Sequence, residues 1–590
     1  MRTPKRTVAD CVDIASIAVF RILFGIAITV DACLMSREEI VFNWIEPSFL
    51  FKYFGFGSVH PLPADGMVAV WWTLRVLGLC VALGFCYRAA MTLFFLGFTY
   101  TFLISQSEYL NHAYLICLLS FLMIFIPAHG ALSVDARLRP GVRRDTLPRW
   151  NLLLLQFQIG VVYLFAGLAK LTPDWFAGHS LRFWFATTRD LPLIGPLFAA
   201  DPVPVVAAWV GVLFDLLIVP LMLIRRTRPF AFAVAILFHV TNACLFDIGV
   251  FPWLMLAATT LYFDPDWPRR SSRSQPSVTC PPPSVFSSLV LALYVAVQLV
   301  LPLRHFAYPG DVNWTEEGDL FSWRMKLRDK QGWSRFFVTH PPSRRTWMAD
   351  PALHLNPVQA TRMSGQPDMV LQYAYFLAGE AKRHGYDRVE VRARVVTSLN
   401  ARKPQLLVDP RVDLAAQPRT LAPVSWIQPL EGPATKATRA TVADVTEEEA
   451  MDLFTRRRRA ERDLAVLTRL AHETMNTLRT VDVELRSLLG VDPAGDYSFD
   501  SASGKLFRLR PDGAGGIEEQ EVRTLENKAD VQRFAQLADG KKRLLARAEV
   551  LRRAEARALE EEADLFTRLQ NYLQSPESAD IFRAHATGQD

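Results

Sequence analysis

Lys170 closes the apolar run LLLLQFQIGVVYLFAGLAKLTPDW, and an ammonium at membrane depth is costly enough to point to function. Desolvation disfavours the charged amine, so a lysine in an apolar wall can present a neutral amine that accepts a proton. Asn111 and His112 open a second apolar run, SEYLNHAYL, and His239 and Asn242 lie late in a third, ILFHVTNACLF. Imidazoles beside such an amine can donate hydrogen bonds to an oxyanion. Asp31 and Arg75 fall at the same level of two further runs. A lone histidine on an apolar helix is more often packing than catalysis, but several polar groups at one depth point to a shared pocket, because burying them unpartnered is costly. The chain has no HExxH, no paired CxxC, no GxSxG elbow and no P-loop, so no metal is expected. The chemistry these residues suit is base-assisted proton removal from an acidic hydroxyl on a membrane-dissolved molecule.

The elements that must position them are membrane helices. About nine apolar segments have the length and composition of spans, near 14–35, 67–87, 90–105, 111–128, 152–171, 203–224, 229–247, 249–263 and 284–303. Loop cations orient them. The N-terminal Arg2, Lys5 and Arg6, with Arg88, Arg137, Arg139, Arg143, Arg144, Arg149, Arg225, Arg226, Arg228, Arg269, Arg270 and Arg273, fall on one side, against Arg37, Lys52, Arg182 and Arg189 on the other. The first set marks the cytoplasmic face, and the candidate residues then lie near the outer face. The net charge of +6 needs no nucleic-acid partner, since loop arginines account for much of it. The expected fold is an α-helical polytopic membrane protein with a C-terminal extracytoplasmic α/β domain and a long helical-hairpin tail. The expected boundaries are 1–303, 304–430 and 431–590.

In the outer domain, 388–396 alternates as a strand does, and 367–385 has helical spacing that ends at Gly385. In the tail, Thr446 and Glu449 form a capping box for a helix to about Leu489, and a second helix runs from about Ala529 to Leu573. Two such helices would each extend about 65 Å. A small hairpin is expected between them, and the tail is a candidate for protein contacts or oligomerisation. Most of the seven cysteines lie in or beside spans, where small apolar packing accounts for them.

Several strings carry a resemblance: FRILFG (20–25), GFCYR (84–88), LNHAYL (110–115), YLFAGLAKLTPDW (163–175) and FHVTNACLFDIGVFPWLMLA (238–257). Beyond the spans, NWTEEGDLFSW (313–323), PDMVLQYA (367–374), TSLNARKPQLLVDPRVDL (397–414) and SWIQPL (425–430) continue it. Together they resemble the vitamin K-dependent gamma-glutamyl carboxylase family, in its bacterial type with an HTTM membrane domain. The resemblance implies that the amine of Lys170 deprotonates a reduced vitamin K or menaquinone-type naphthohydroquinone. The anion reacts with oxygen, and the resulting base removes a gamma proton from a peptide glutamate as the quinone becomes its epoxide. Carbon dioxide then captures the glutamyl carbanion. It further implies that His112 and His239 assist, that Asn111, Asn242 and Trp175 contact the quinol, and that Trp314, Trp323 and Asn400 contact the glutamyl substrate. The implied partners are a lipid-soluble quinol and a glutamate-containing protein, and the implied setting is a bacterial cytoplasmic membrane with the C-terminal domain outside.

The departures bear on the second substrate. The Leu-Tyr pair that animal members use for glutamate becomes Gly318-Asp319, and a following His-Ser-Arg becomes Arg328-Asp329-Lys330. Glu316, Glu317 and Asp319 put negative charge where a glutamate should approach, with Arg324 and Arg328 near enough to offset it. Nothing after SWIQPL resembles a propeptide-capture domain, and no cysteine follows Cys280 to form the animal interdomain disulfide. Three classes stay open: the carboxylase or a quinol epoxidase without efficient carboxylation, a non-catalytic scaffold or sensor, and a transporter. Retention of Lys170 and the histidines argues against the scaffold, and the absence of repeated halves against the transporter.

Overall fold

A computed structural model describes residues 10–186, 202–246, 248–269, 280, 284–343, 345–349, 351–400, 402, 405–431, 444–489, 497–500, 503, 505–511, 517–525 and 527–574. Of the orienting cations, Arg2, Lys5, Arg6, Arg189, Arg270 and Arg273 lie outside those residues. The chain divides into two compact units, Met1–Ala434 and Thr435–Asp590.

Each expected apolar segment holds a helix: α1 (Ala15–Leu34), α2 (Ala64–Leu83), α3 (Tyr87–Ile104), α4 (Asn111–Phe125), α5 (Arg149–Ala169), α6 (Pro202–Leu223), α7 (Arg228–Leu245), α8 (Phe251–Thr259) and α9 (Val285–Val300). Among the described residues, seven helices are long and apolar enough to cross a membrane, where about nine spans were expected. The two that fall short are α4 and α8, and each has a local cause. Pro127 holds Ile126 extended (φ −79°, ψ 125°) and stops α4 after 15 residues, about 22 Å against a hydrocarbon core of about 30 Å. The chain before α8 turns at Gly249, whose φ is 55°, so the helix starts late.

Small residues set the packing of the first pair. A Cβ on Gly25 would stand 2.4 Å from the backbone nitrogen of Ala82, and one on Gly78 would stand 2.4 Å from Thr29 Oγ1. With hydrogen there instead, α1 and α2 approach closely, as membrane helices do through small residues. Arg21, fully buried on α1, donates to the carbonyls of Leu132 at 2.6 Å and Ala82 at 3.3 Å. Its guanidinium thus satisfies carbonyls that a helix end and a loop leave open.

Cys11 and Cys280 form a disulfide, with Cα atoms 5.2 Å apart. Apolar packing therefore does not account for these two cysteines. Five others are free thiols: Cys33, Cys80, Cys86, Cys117 and Cys244.

The C-terminal part of the first unit is an antiparallel sheet backed by one helix. Strand β1 (Lys330–His340) pairs with β2 (Arg345–Ala349) and with β3 (Glu390–Leu399), which pairs with β4 (Gln405–Leu406). Helix α10 (Pro367–Arg383) packs Met369, Tyr373 and Leu377 against Phe336, Val338, Val391 and Val395. Gly385, at φ 85°, follows its last turn. This core is apolar on the inner strand face and polar outside, as the alternation predicts. It is tied to the loop between α1 and α2 by Arg419, which pairs with Asp368 at 2.7 Å and donates to the Lys52 carbonyl at 2.6 Å.

The second unit is two long helices, α11 (Asp444–Leu489) and α12 (Lys528–Gln574). Arg533 meets Glu484 and Thr468 meets Glu555, so they run antiparallel. The connection is a three-stranded sheet rather than a hairpin, because Ile517–Thr524 adds a strand to Lys505–Pro511. That strand, IEEQEVRT, carries charge on both faces, so its sequence has no apolar alternation to read.

Candidate active site

Helix α5 delivers Lys170 as its C-cap, and α6 lies close enough to meet it because Gly167 has no side chain. A Cβ there would stand 2.6 Å from Leu216 Cδ2 and 3.2 Å from Asp215 Cβ. Lys170 Nζ lies 2.6 Å from Asp215 Oδ2 and donates to the Ala166 carbonyl at 3.3 Å. Both side chains are about nine-tenths buried, at 10% and 7% exposure, so each ion is the other's compensation in a low-dielectric wall. Lys170 Nζ also stands 5.4 Å from the centre of the Trp175 ring. Trp175 is fixed by its indole N–H, which donates to the Ala208 carbonyl at 2.9 Å, and its short helix is capped by Thr172.

These groups open on a cavity of about 820 Å³ whose wall is mostly aromatic and aliphatic. That is within the size range of sites that enclose drug-sized molecules. His112, Asn111, His239, Asn242, Lys170 and Trp175 all line it. His239 Nε2 shares a 2.9 Å hydrogen bond with the Tyr163 hydroxyl, which lies 3.4 Å from Thr259 Oγ1. Asn111 Oδ1 accepts from the Tyr109 hydroxyl at 3.0 Å, and the Tyr109 hydroxyl oxygen accepts from the Phe321 N–H at 2.9 Å. A chain of bonds thus links the cavity to the C-terminal domain.

Two residues expected at the pocket are elsewhere. Arg75 donates to the carbonyls of Ala32 and Met35 at 3.1 and 2.7 Å and covers the Trp72 ring, completing the end of α1. Asp31 does not line the cavity either. The carboxylate that does so is Asp215, from the middle of the apolar run VGVLFDLLIVP. An isolated carboxylate in such a run is a recognised signal of function, and it was available in the sequence. Tyr163, in the same wall, has no comparable sequence signal.

The residues expected to meet the glutamyl substrate are all buried, each with packing or hydrogen-bond partners of its own. Trp314 is fully buried in the C-terminal core and donates to the Gln428 carbonyl at 2.7 Å. Trp323, also fully buried, stacks on Tyr114 with centroids 4.9 Å apart. Asn400 donates to Asp174 at 2.9 Å and accepts from the Asp329 N–H at 2.9 Å and from Ser180 at 3.1 Å. Arg402 adds a 2.7 Å bond to Asp174. Burial alone would raise the Asp174 carboxyl, but the bonds from Arg402 and Asn400 hold it below its ordinary value.

The acidic string 316–319 is not the free negative surface its sequence suggests. Glu316 pairs with Arg328 and lies 2.9 Å from Lys330 Nζ; Asp319 lies 2.9 Å from Arg328 and 3.1 Å from Arg324. Burial would push the Asp319 carboxyl up, yet the Arg328 guanidinium, then the Arg324 guanidinium and the Lys330 ammonium, hold it below the usual range. Arg324, Arg328 and Lys330 together face Glu316 and Asp319, and Asp311 also acts on Arg324. Glu317 stands apart, accepting from the Val424 N–H at 3.3 Å.

Comparison with known proteins gives two matches. Residues 10–267 match the HTTM domain, and residues 284–432 match the lumenal domain of vitamin K-dependent gamma-carboxylase. No solved structure matches the chain. The helices and the first match make this an integral membrane protein.

Proposed function

We propose, since the chain belongs to the vitamin K-dependent gamma-carboxylase family, that it is an enzyme that oxygenates a reduced naphthoquinone to the epoxide and uses the resulting base to carboxylate peptide glutamate. The observation that carries this reading is the Lys170–Asp215 pair, set with His112 and His239 in the wall of one apolar cavity. The cavity's chemistry fits a naphthohydroquinone: a greasy wall for the rings and side chain, and polar groups gathered at a few points for the hydroxyls.

An ammonium held 2.6 Å from a carboxylate is not itself a base. In our reading Lys170 takes the hydroquinone proton on nitrogen while passing one of its own to Asp215 Oδ2. One O–H and one N–H break as one N–H and one O–H form, leaving the quinolate beside an ammonium. In this reading His112 and His239 donate hydrogen bonds to the developing oxyanion; His239 has its ring held by Tyr163. Asn111 and Asn242 orient the ring, and Trp175 packs beside the amine. Carbon dioxide and oxygen are the remaining co-substrates, and no step requires a metal.

The test is a single reaction in detergent or liposomes with reduced menaquinone or vitamin K, oxygen, labelled carbon dioxide and a glutamyl peptide. Epoxide and carboxylated peptide are the expected products. Epoxide without carboxylation would establish the second reading, a quinol epoxidase, which the replacement by Gly318-Asp319 favours. Attaching an animal-type propeptide should not improve turnover, because the sequence after SWIQPL shows no resemblance to a capture domain. Absence of epoxide with every quinol tried would overturn both readings.

The same reading places about nine spans in a bacterial cytoplasmic membrane, with the amino terminus inside and the C-terminal domain outside. The Cys11–Cys280 bond stands against that orientation, because both residues then face the cytosol, where thiols are kept reduced. Labelling decides between them. In a background with the exposed thiols Cys33, Cys86 and Cys244 replaced, cysteines introduced into 129–150 should react only from the cytoplasm. Those introduced near 335 should react only from outside. Reaction of both from one side would break the placement of the cavity.

A further inference from the structure

Tyr163 stands two helical turns before Lys170 on α5, and both line the same cavity. Its hydroxyl is buried, 2.9 Å from His239 Nε2 on α7 and 3.4 Å from Thr259 Oγ1 on α8. A hydroxyl has one proton to donate, and that count gives these bonds a direction. Thr259 donates its own at 2.6 Å to the Met255 carbonyl, one turn back on its helix. Tyr163 then has two places for its proton. The oxygens of an O–H···O bond lie about 2.5–3.0 Å apart, so the 3.4 Å contact with Thr259 is slack, whereas 2.9 Å to an imidazole nitrogen is ordinary. With the ring proton on Nε2, the buried hydroxyl would have to hold its proton in the slack contact, which leaves a donor poorly satisfied. The Tyr163 proton therefore lies toward Nε2, and the ring proton of a neutral His239 lies on Nδ1. Among the described residues Nδ1 has no hydrogen-bond partner, and His239 lines the cavity.

We propose that Tyr163 is a positioning residue that fixes His239 as its Nδ1–H tautomer, so that the ring meets a ligand in the cavity as a hydrogen-bond donor. It rests on the reading of that ligand as a naphthohydroquinone, and adds which ring nitrogen carries the proton and why. A neutral imidazole has one N–H and one bare nitrogen, and the bond made by one decides what the other offers. The reversed tautomer would turn a lone pair toward a quinol oxygen that is gaining negative charge. Stabilising that charge calls for a donor already in place when it develops. Packing keeps the two rings in register. Phe214 meets Tyr163 and His239 edge to face, with centroids 5.8 and 5.7 Å away.

The experiment is nitrogen-15 NMR of the full chain in liposomes, labelled at histidine, with His239 identified as the signal that His239→Asn removes. Wild-type His239 should be neutral with its proton on Nδ1. Tyr163→Phe keeps the ring and deletes the hydroxyl, and should move the proton to Nε2 or leave the two tautomers mixed. Thr259→Val should leave the tautomer as it is, because the threonine gives its proton to its own helix. A wild-type ring protonated on Nε2, alone or together with Nδ1, would overturn the proposal. So would an unchanged tautomer in Tyr163→Phe, or a shifted one in Thr259→Val. These signals need no turnover, so failure here is separate from failure of the quinol reading, which epoxide formation reports. In the epoxide assay Tyr163→Phe should lower kcat about tenfold with KM nearly unchanged. In a His239→Asn background the same substitution should cost nothing further, since two residues that act as one unit are not additive. An equal loss in both backgrounds would show Tyr163 acting apart from His239 and would also overturn the proposal.

Discussion

Lys170→Ala is expected to lower epoxide formation by at least about 100-fold, the lower bound of what a positioned general base contributes. The amine is the group placed to take the hydroquinone proton, and its removal leaves the rest of the aromatic wall in place. Loss of activity alone would not settle the role, because the substitution strands Asp215 as a buried carboxylate. Breaking a buried pair on one side costs about 3–5 kcal/mol, so some loss could come from misfolding. The double variant Lys170→Met with Asp215→Leu separates the two. It removes both charges at similar volume, which is often neutral or stabilising. It should enter the membrane and melt as the wild type does, yet form no epoxide. A small exogenous amine should restore part of the activity of Lys170→Ala and none of the double variant, where leucine and methionine fill the space. Epoxidation by Lys170→Ala at the wild-type rate would remove the lysine from the mechanism whatever the family match.

The sequence is legible in depth and much less so in angle. Hydropathy and loop arginines order Lys170, His112 and His239 along their helices, and all three line one cavity. The same depth argument gathered in Asp31 and Arg75, which point elsewhere, because height along a helix says nothing about the direction a side chain faces. Direction depends on packing, here on Gly167 admitting α6 so that Asp215 meets Lys170. Charge behaves similarly. The signs of Glu316, Asp319, Arg324, Arg328 and Lys330 are plain in the sequence, but their pairing across the loop is not. In the structure Glu316 and Asp319 are paired with those cations. Trp314, Trp323 and Asn400 carry the family likeness; in this fold Trp323 and Asn400 join the C-terminal domain to the helical part, and Trp314 is buried in the C-terminal core.

Asp215→Asn should lower kcat for epoxidation by about 10- to 100-fold and leave the KM for quinol nearly unchanged. The carboxylate is argued to take the proton that Lys170 gives up, a step that occurs only as the quinol reacts. An interaction of that kind appears in kcat and in kcat/KM together, whereas lost ground-state binding appears in KM. Asparagine keeps the volume and a hydrogen-bond acceptor beside Nζ but cannot accept the proton. Asp215→Glu retains the acidic group with one more methylene, so it should recover part of kcat if proton acceptance matters, despite the strain of overpacking. A purely structural role for Asp215 would give the opposite order, with the isosteric amide tolerated better than the longer acid. A third outcome is also informative. If Asp215→Asn is faster than the wild type, the ion pair is a lock that holds the lysine protonated. The relay from Lys170 to Asp215 would then be wrong, while Lys170 would stand as a base acting alone.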